Sequence, residues 1–288
     1  MRETDRPMST SPPSRLDVVH RGRGGPLVVF VHGVLDRGQS FERVAEALGP
    51  GVRFRWYDRR GYGGSLDAPG APVEVAGHID DLLEVLDGQR AVLVGHSFGG
   101  VTAIGAALRA PELVQALVLY ETGMAWVPGW DDRVLQGLLW GENPEVDGAR
   151  LMFRDRWHSM SEDQRNRRVR EARAFVAEER SVRVDGPPFD LRAVQQPVVF
   201  GCSDRYIHTA VPRHLQRVMP RVEVVVLPGA DHNAHRSQPA AFADLIRRAM
   251  AAAAPHPPVA GPTRARVVED VRPPQLSISD QGESSAPE

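Results

Sequence analysis

Gly95-His96-Ser97-Phe98-Gly99 is the stretch on which the reading of this chain turns. Ala91-Val92-Leu93-Val94 precedes it, apolar and partly β-branched, and reads as a buried strand. Gly100 to Arg109 follows, rich in alanine and stopped by Pro111, and reads as a helix. A serine between glycines at a strand-to-helix junction is the G-x-S-x-G elbow pattern. The turn is tight enough that bulk on either side of the serine would clash. It lifts the hydroxyl out at the top of a sheet and sets it at a helix N-terminus, whose unpaired N–H groups favour a developing oxyanion.

Outward from the elbow, strand and helix patterns alternate. Pro26 to Val31 ends in Leu-Val-Val-Phe-Val, a buried strand running into His32-Gly33-Val34. Phe41, Val44 and Leu48 mark one face of a helix, and Val52 to Tyr57 another strand. Asp58 to Ser65 is a glycine-rich loop, and Val75, Ile79, Leu82 and Leu86 follow at helical spacing. After the elbow come a strand at Ala116 to Tyr120, a strand at Gln196 to Gly201, a helix carrying Val211, Leu215 and Val218, a last strand at Val222 to Leu227 and a closing helix through Phe242 and Ile246. This order argues an α/β fold, a mostly parallel sheet flanked by helices on both faces.

Between Thr122 and Pro188 the alternation stops. Helical patterns at Asp131 to Trp140, at Pro144 to Met160 and after the capping box Ser161-Glu162-Asp163-Gln164 predict a helical cap inserted into the sheet domain. One face of the last helix carries Val169, Ala172 and Val176; the other, arginine and glutamate, reads as solvated. The expected organisation is a disordered N-terminus over 1–14, a core over 15–121 and 189–251, a cap over 122–188 and a disordered tail over 252–288.

Composition narrows the chemistry. The 288 residues carry a net charge of −2, which suggests neither nucleic acid nor a membrane surface as partner. No apolar run reaches the ~18 residues of a membrane span, and the opening segment lacks the apolar core of a signal peptide. The single cysteine, Cys202, is consistent with a reducing cytoplasm. All 35 basic residues are arginine; with no lysine present, Schiff-base chemistry, a Ser–Lys dyad and a P-loop phosphate site are excluded. The histidines at 208, 214, 232 and 235 match no zinc spacing, so neither metal nor cofactor is expected.

His32-Gly33, the Asp58–Ser65 loop, Gly95–Gly99, Asp204 and Gly229–His232 occur in the order seen in the α/β-hydrolase superfamily, and over roughly Leu16 to Met250 the chain resembles it. It looks most like the cap-bearing branch of serine esterases, haloperoxidase-like perhydrolases and C–C bond hydrolases. Those relatives open with a longer antiparallel hairpin; here only Leu16 to His20 is available, which predicts a shortened sheet edge. The resemblance implies a nucleophile at Ser97, a base at His232, and oxyanion donors on the backbone of Val34 and Phe98. It favours Asp204, after the strand Val198 to Gly201, as the acid that orients the base. Glu121, at the end of the strand after the elbow, is the rival. Asp231 is discounted because neighbouring loop residues seldom face each other. His32, Trp126, Trp130 and Trp157 are candidates to line a substrate pocket, with the alternative that the tryptophans form the cap's own core.

The function so implied is a serine-dependent hydrolase acting through an acyl-enzyme on a small to medium ester, thioester or lactone. The same triad in a C–C hydrolase or perhydrolase, or a non-enzymatic receptor on this fold, are the alternatives. Serine rather than aspartate at 97 argues against epoxide opening and dehalogenation.

Overall fold

The computed structural model describes residues 16–69, 74–130, 132–183 and 187–254. The predicted disordered N-terminus lies outside these residues, as do positions 255–288 of the predicted tail; the first two residues assigned to that tail, 252 and 253, instead close the last helix. In chain order the elements are β1 (Val18–Arg21), β2 (Leu27–Val31), α1 (Glu42–Leu48), β3 (Arg53–Tyr57), α2 (Val75–Leu86), β4 (Ala91–His96), α3 (Phe98–Arg109) and β5 (Val114–Tyr120). Four helices follow: α4 (Arg133–Leu139), α5 (Pro144–Phe153), α6 (Asp155–Ser159) and α7 (Glu162–Ser181). The chain then returns through β6 (Val198–Ser203), α8 (Ala210–Val218), β7 (Val222–Leu227), α9 (Ala234–Ser237) and α10 (Pro239–Ala253).

The strands form one sheet in the order β1-β3-β2-β4-β5-β6-β7. Only β1 is antiparallel, pairing Val18 with Tyr57 through Arg21 with Phe54; all other neighbours are parallel. The opening edge is thus a single four-residue strand, the shortened edge expected from the sequence. Side chains alternate across the sheet, so each strand feeds two cores. Val28, Phe30, Val92, Val94 and Val118 pack with α1 and α10 through Val44, Phe242, Leu245 and Ile246. Leu27, Val29, Leu93, Leu117 and Leu119 pack with α2, α3 and α8 through Ile79, Leu82, Val101, Ile104 and Leu215. Covered on both faces, β2 and β4 are buried at every position, which is why they read as unbroken apolar runs.

Helices α4 to α7 form the cap, with an apolar core of their own. Leu139, Ala149, Phe153, Trp157, Ala172, Phe175 and Val176 cluster there with Leu35 and Tyr62 of the sheet domain. The capping box forms as predicted: Ser161 Oγ accepts from the Gln164 N–H at 3.3 Å and Gln164 Oε1 accepts from the Ser161 N–H at 2.9 Å.

The charged face of α7 departs from expectation. Glu171 and Glu178, read as solvated, are buried. Glu178 carries no exposed surface and receives Arg59 in a two-point contact, Nη1 to Oε1 at 2.7 Å and Nη2 to Oε2 at 3.2 Å. The Tyr62 hydroxyl donates to the same carboxylate at 2.8 Å, and His78 Nε2 lies 2.6 Å from it. Burial by itself would raise the Glu178 pKa, but Arg59 and His78 hold it below the ordinary carboxylate value. An ion pair this deeply buried is costly to break, so it anchors the cap to the loop carrying Arg59. The partner of Glu178 is 119 residues away, so nothing local to α7 names it.

Candidate active site

Ser97 joins β4 to α3 with φ 51° and ψ −125°, a backbone conformation that non-glycine residues rarely adopt. A Cβ on Gly95 would collide with the Gly100 backbone, and one on Gly99 with the Val31 carbonyl, so both glycines of the motif are required by packing. The Ser97 N–H donates to the Tyr120 carbonyl at 2.9 Å, tying the elbow to the end of β5. Because α3 begins at Phe98, the N–H groups of its first turn precede the helix's own ladder; that of Gly100 donates to the Ser97 carbonyl at 3.0 Å.

The opposing turn, His32-Gly33-Val34, is held from below. His32 Nδ1 donates to the Gly33 carbonyl at 2.7 Å, and His32 Nε2 accepts the Arg59 N–H at 2.8 Å. Arg59 also donates to the His32 and Gly33 carbonyls, at 2.8 and 3.1 Å. Burial, reinforced by the Arg59 charge, lowers the His32 pKa to about 3, so this imidazole is neutral. His32 is completely buried and lines neither cavity at Ser97. The expectation that it touches substrate is corrected: it braces the turn that carries Val34.

His232 follows β7 in a loop pinned on three sides. His96 Nε2 donates to the His232 carbonyl at 2.7 Å, the Tyr120 hydroxyl donates to the Asp231 carbonyl at 2.9 Å, and the Gly229 N–H donates to Asp204 Oδ2 at 3.0 Å. His96 is buried, and burial together with the neighbouring His235 and His232 keeps it neutral. It therefore donates through Nε2 as a fixed support.

The carboxylate that meets His232 is Glu121, not Asp204. His232 Nδ1 lies 2.7 Å from Glu121 Oε2. The other Glu121 oxygen accepts from the Ser203 N–H at 2.9 Å and from the Ser203 hydroxyl at 2.6 Å. Burial pushes the Glu121 pKa up, but the bonds from His232 and Ser203 outweigh it and leave the net shift downward. Asp204 is exposed, one residue past the end of β6, with its carboxylate engaged by the β7 loop. Alternation along the strand explains the error: Ser203 directs its hydroxyl at Glu121, and the next residue is turned out of the site. Asp231 is exposed, and its carboxylate accepts from the Asn233 N–H and the Ser237 hydroxyl.

Ser97 and His232 open on a cavity of about 430 Å³ beneath the cap. Its walls include Val34, Trp130, Leu135, Met152, Phe175, Tyr206 and Ile207, with Glu121, Arg183 and Arg205 among the polar groups. Trp130 lies in this wall and stacks on His208 at 3.5 Å between ring centroids. Trp126 lines a separate cavity with Phe189 and His214, and Trp157 is buried in the cap core. Two of the three tryptophans expected at the pocket therefore serve packing instead. Among the described residues, Asp36, His96 and His235 are the group whose atoms lie near enough to suggest a metal. Asp36 is engaged by His235 and Arg236, and His96 Nε2 by the His232 carbonyl, while Nδ1 of His96 and of His235 are buried without a hydrogen-bond partner.

These features define a class. The profile of the alpha/beta hydrolase family matches residues 28–245, and the chain belongs to that family. It is similar to the 2-(acetamidomethylene)succinate hydrolase of Mesorhizobium japonicum, 28% identical over 78% of this chain and 87% of that one. The pimeloyl-[acyl-carrier protein] methyl ester esterase of Nitrosomonas europaea is 29% identical over 76% of this chain and 93% of that one. Among solved structures, a thermophilic esterase from Thermogutta terrifontis superposes with a TM-score of 0.64 at 19% identity, over 85% of this chain and 96% of that one. The chain is a hydrolytic enzyme. No helix among the described residues is long and apolar enough to cross a membrane.

Proposed function

We propose that this chain is a serine hydrolase that forms an acyl-enzyme on Ser97, acting on esters or thioesters of small to medium size. The observation that carries the reading is the Glu121–His232 contact of 2.7 Å beside a cavity that Ser97 also lines. A serine hydroxyl is a weak nucleophile and needs a base. His232, held through Nδ1 by Glu121, presents Nε2 for that purpose.

In the first step Ser97 Oγ attacks the carbonyl carbon, its proton passes to His232 Nε2, and the carbonyl oxygen becomes an oxyanion facing the N–H groups of Val34 and Phe98. Glu121 stabilises the imidazolium without taking its proton. Collapse breaks the bond to the alcohol or thiol, which leaves with the proton from His232. Water then repeats the sequence: His232 removes its proton, the oxygen attacks the acyl carbon, and the acid departs as Ser97 regains its hydrogen. Val34 and Phe98 act through backbone N–H groups, so their side chains shape the pocket more than the chemistry.

A fluorophosphonate probe tests the reading directly. It should label the wild-type chain on Ser97 and leave Ser97→Ala unlabelled. Hydrolysis of p-nitrophenyl butyrate should fall by about 10⁵ or more in that variant, as triad members act as a unit. Retention of a tenth of the activity by purified Ser97→Ala would sink the mechanism.

A further inference from the structure

A second cavity, of about 370 Å³, meets the first at the reacting groups. Val34, Ser97, Met152 and His232 line both. Beyond them the two differ in chemistry. The first is walled by the apolar side chains of the cap and β6 loop, and its carboxylates are Glu121, Glu179 and Asp231. The second is walled by Arg156, Asn233 and Arg236 and has Asp36 as its one carboxylate.

The hydrogen-bonding inventory of the second cavity is unbalanced. Asp36 is fully engaged: Arg236 Nη2 pairs with Oδ1, while Oδ2 accepts from the Ser40 hydroxyl at 3.0 Å and faces His235 Nε2 at 3.2 Å. Arg156 has no carboxylate or hydrogen-bond partner among the described residues; its guanidinium rests over the Phe153 ring, 5.5 Å from the centroid. The Asn233 side-chain amide and Arg236 Nη1 likewise meet no acceptor among the described residues. One net positive charge and three sets of open donors therefore converge beside Ser97. In the first cavity Arg183 is paired with Glu179, and Arg205 shares the walls with the carboxylates Glu121, Glu179 and Asp231, two cations against three anions. An anion is accordingly favoured in the second cavity and an apolar chain in the first.

Resting on the serine-hydrolase reading, we propose that the active site is bipartite: the cavity of Arg156, Asn233 and Arg236 binds an anionic group of the substrate, a carboxylate or phosphate. The apolar cavity holds the part of the substrate across the scissile bond. The preferred substrate is then an ester or thioester with an apolar portion on one side of the carbonyl and an anion on the other.

The test uses matched pairs on the full chain. With the anion in the leaving group, 4-(butanoyloxy)benzoate and 4-(butanoyloxy)phenyl phosphate are compared with neutral 4-(butanoyloxy)benzamide. With the anion in the acyl group, phenyl hemiglutarate is compared with phenyl pentanoate. In at least one pair the wild-type chain should prefer the anionic member about tenfold in kcat/KM, chiefly through KM. The carboxylate and phosphate arms separate the two sources of charge. Arg156→Gln should collapse that ratio towards one, and Arg205→Gln should preserve it. Equal rates within every pair, or a preference lost in Arg205→Gln and kept in Arg156→Gln, overturns the proposal. Calorimetric binding of the benzoate and benzamide to Ser97→Ala separates this idea from its parent. Arg156-dependent selectivity without wild-type turnover would retain the anion site and sink the hydrolase reading; turnover without selectivity would do the reverse.

Discussion

Strands β5 and β6 lie side by side and end on the same rim of the sheet, and each is followed directly by a carboxylate. Glu121 follows Tyr120, is buried, and reaches His232 with one oxygen while Ser203 holds the other. Asp204 follows Ser203, is exposed, and fastens the turn at Gly229. The two side chains differ by one methylene, yet one sits against the base and the other braces the loop that carries it. Position along a strand is not enough to assign a role. The side of the sheet on which a residue emerges, and the neighbour it meets there, decide between chemistry and support.

That contrast can be broken by substitution. Glu121→Gln keeps the volume but removes the charge that fixes the His232 tautomer, and kcat should fall by about 10⁴ with KM little changed. Steady-state kinetics on a neutral ester would check it, and a loss under tenfold would return the role to another carboxylate. Glu178→Gln serves as the control for burial alone. Glu178 is at least as buried as Glu121 and pairs with the Arg59 guanidinium, but it does not touch the reacting groups. Leaving Arg59 uncompensated should cost roughly 3 kcal/mol of stability by thermal or urea unfolding. Well below the unfolding midpoint, kcat should change by less than about a hundredfold, since the turn at Val34 loses part of its support.

Smaller effects sharpen the picture. Ser203→Ala removes the hydroxyl bond to Glu121 and leaves the N–H in place; kcat should drop by about tenfold or less. Asp204→Asn should cost still less in kcat, a few-fold, while lowering the melting temperature by a few degrees as the β7 loop loosens. A reversed order, with Asp204→Asn the more damaging to kcat, would reinstate the assignment drawn from resemblance.

Stability should also fall on the acid side. His32, His78, His96 and His235 all have pKa values lowered by burial, so the unfolded chain binds protons there that the folded chain does not. The unfolded state gains from each of them below about pH 6.5, by up to about 1.4 kcal/mol per pH unit per histidine. Glu121 and Glu178, lowered by their partners, add stability above their unfolded values near pH 4, and it is lost as pH falls through their folded ones. Urea titrations between pH 7 and 5 should therefore show a declining midpoint before the ion-paired carboxylates Glu121 and Glu178 titrate. A flat profile in that window would contradict the buried neutral histidines.

Local sequence determined much of this protein. The apolar runs at β2 and β4 specify buried parallel strands, because only strands covered on both faces have no polar positions. Gly95-His96-Ser97-Phe98-Gly99 specifies the elbow, since the glycines on either side leave no room for a Cβ. Ser161 and Gln164 specify the start of α7, a contact spanning three residues. What tertiary structure decided lies in contacts between residues far apart in the chain. Glu121 meets His232 across 111 positions, and Arg59 meets Glu178 across 119. No periodicity encodes either pairing. Trp157 and Trp130 are both tryptophans of the cap segment, and only packing set one in the cap core and the other against the cavity. Strand and helix form from interactions within a few residues and are legible there, whereas the partner of a buried charge is chosen by the fold that brings the two together.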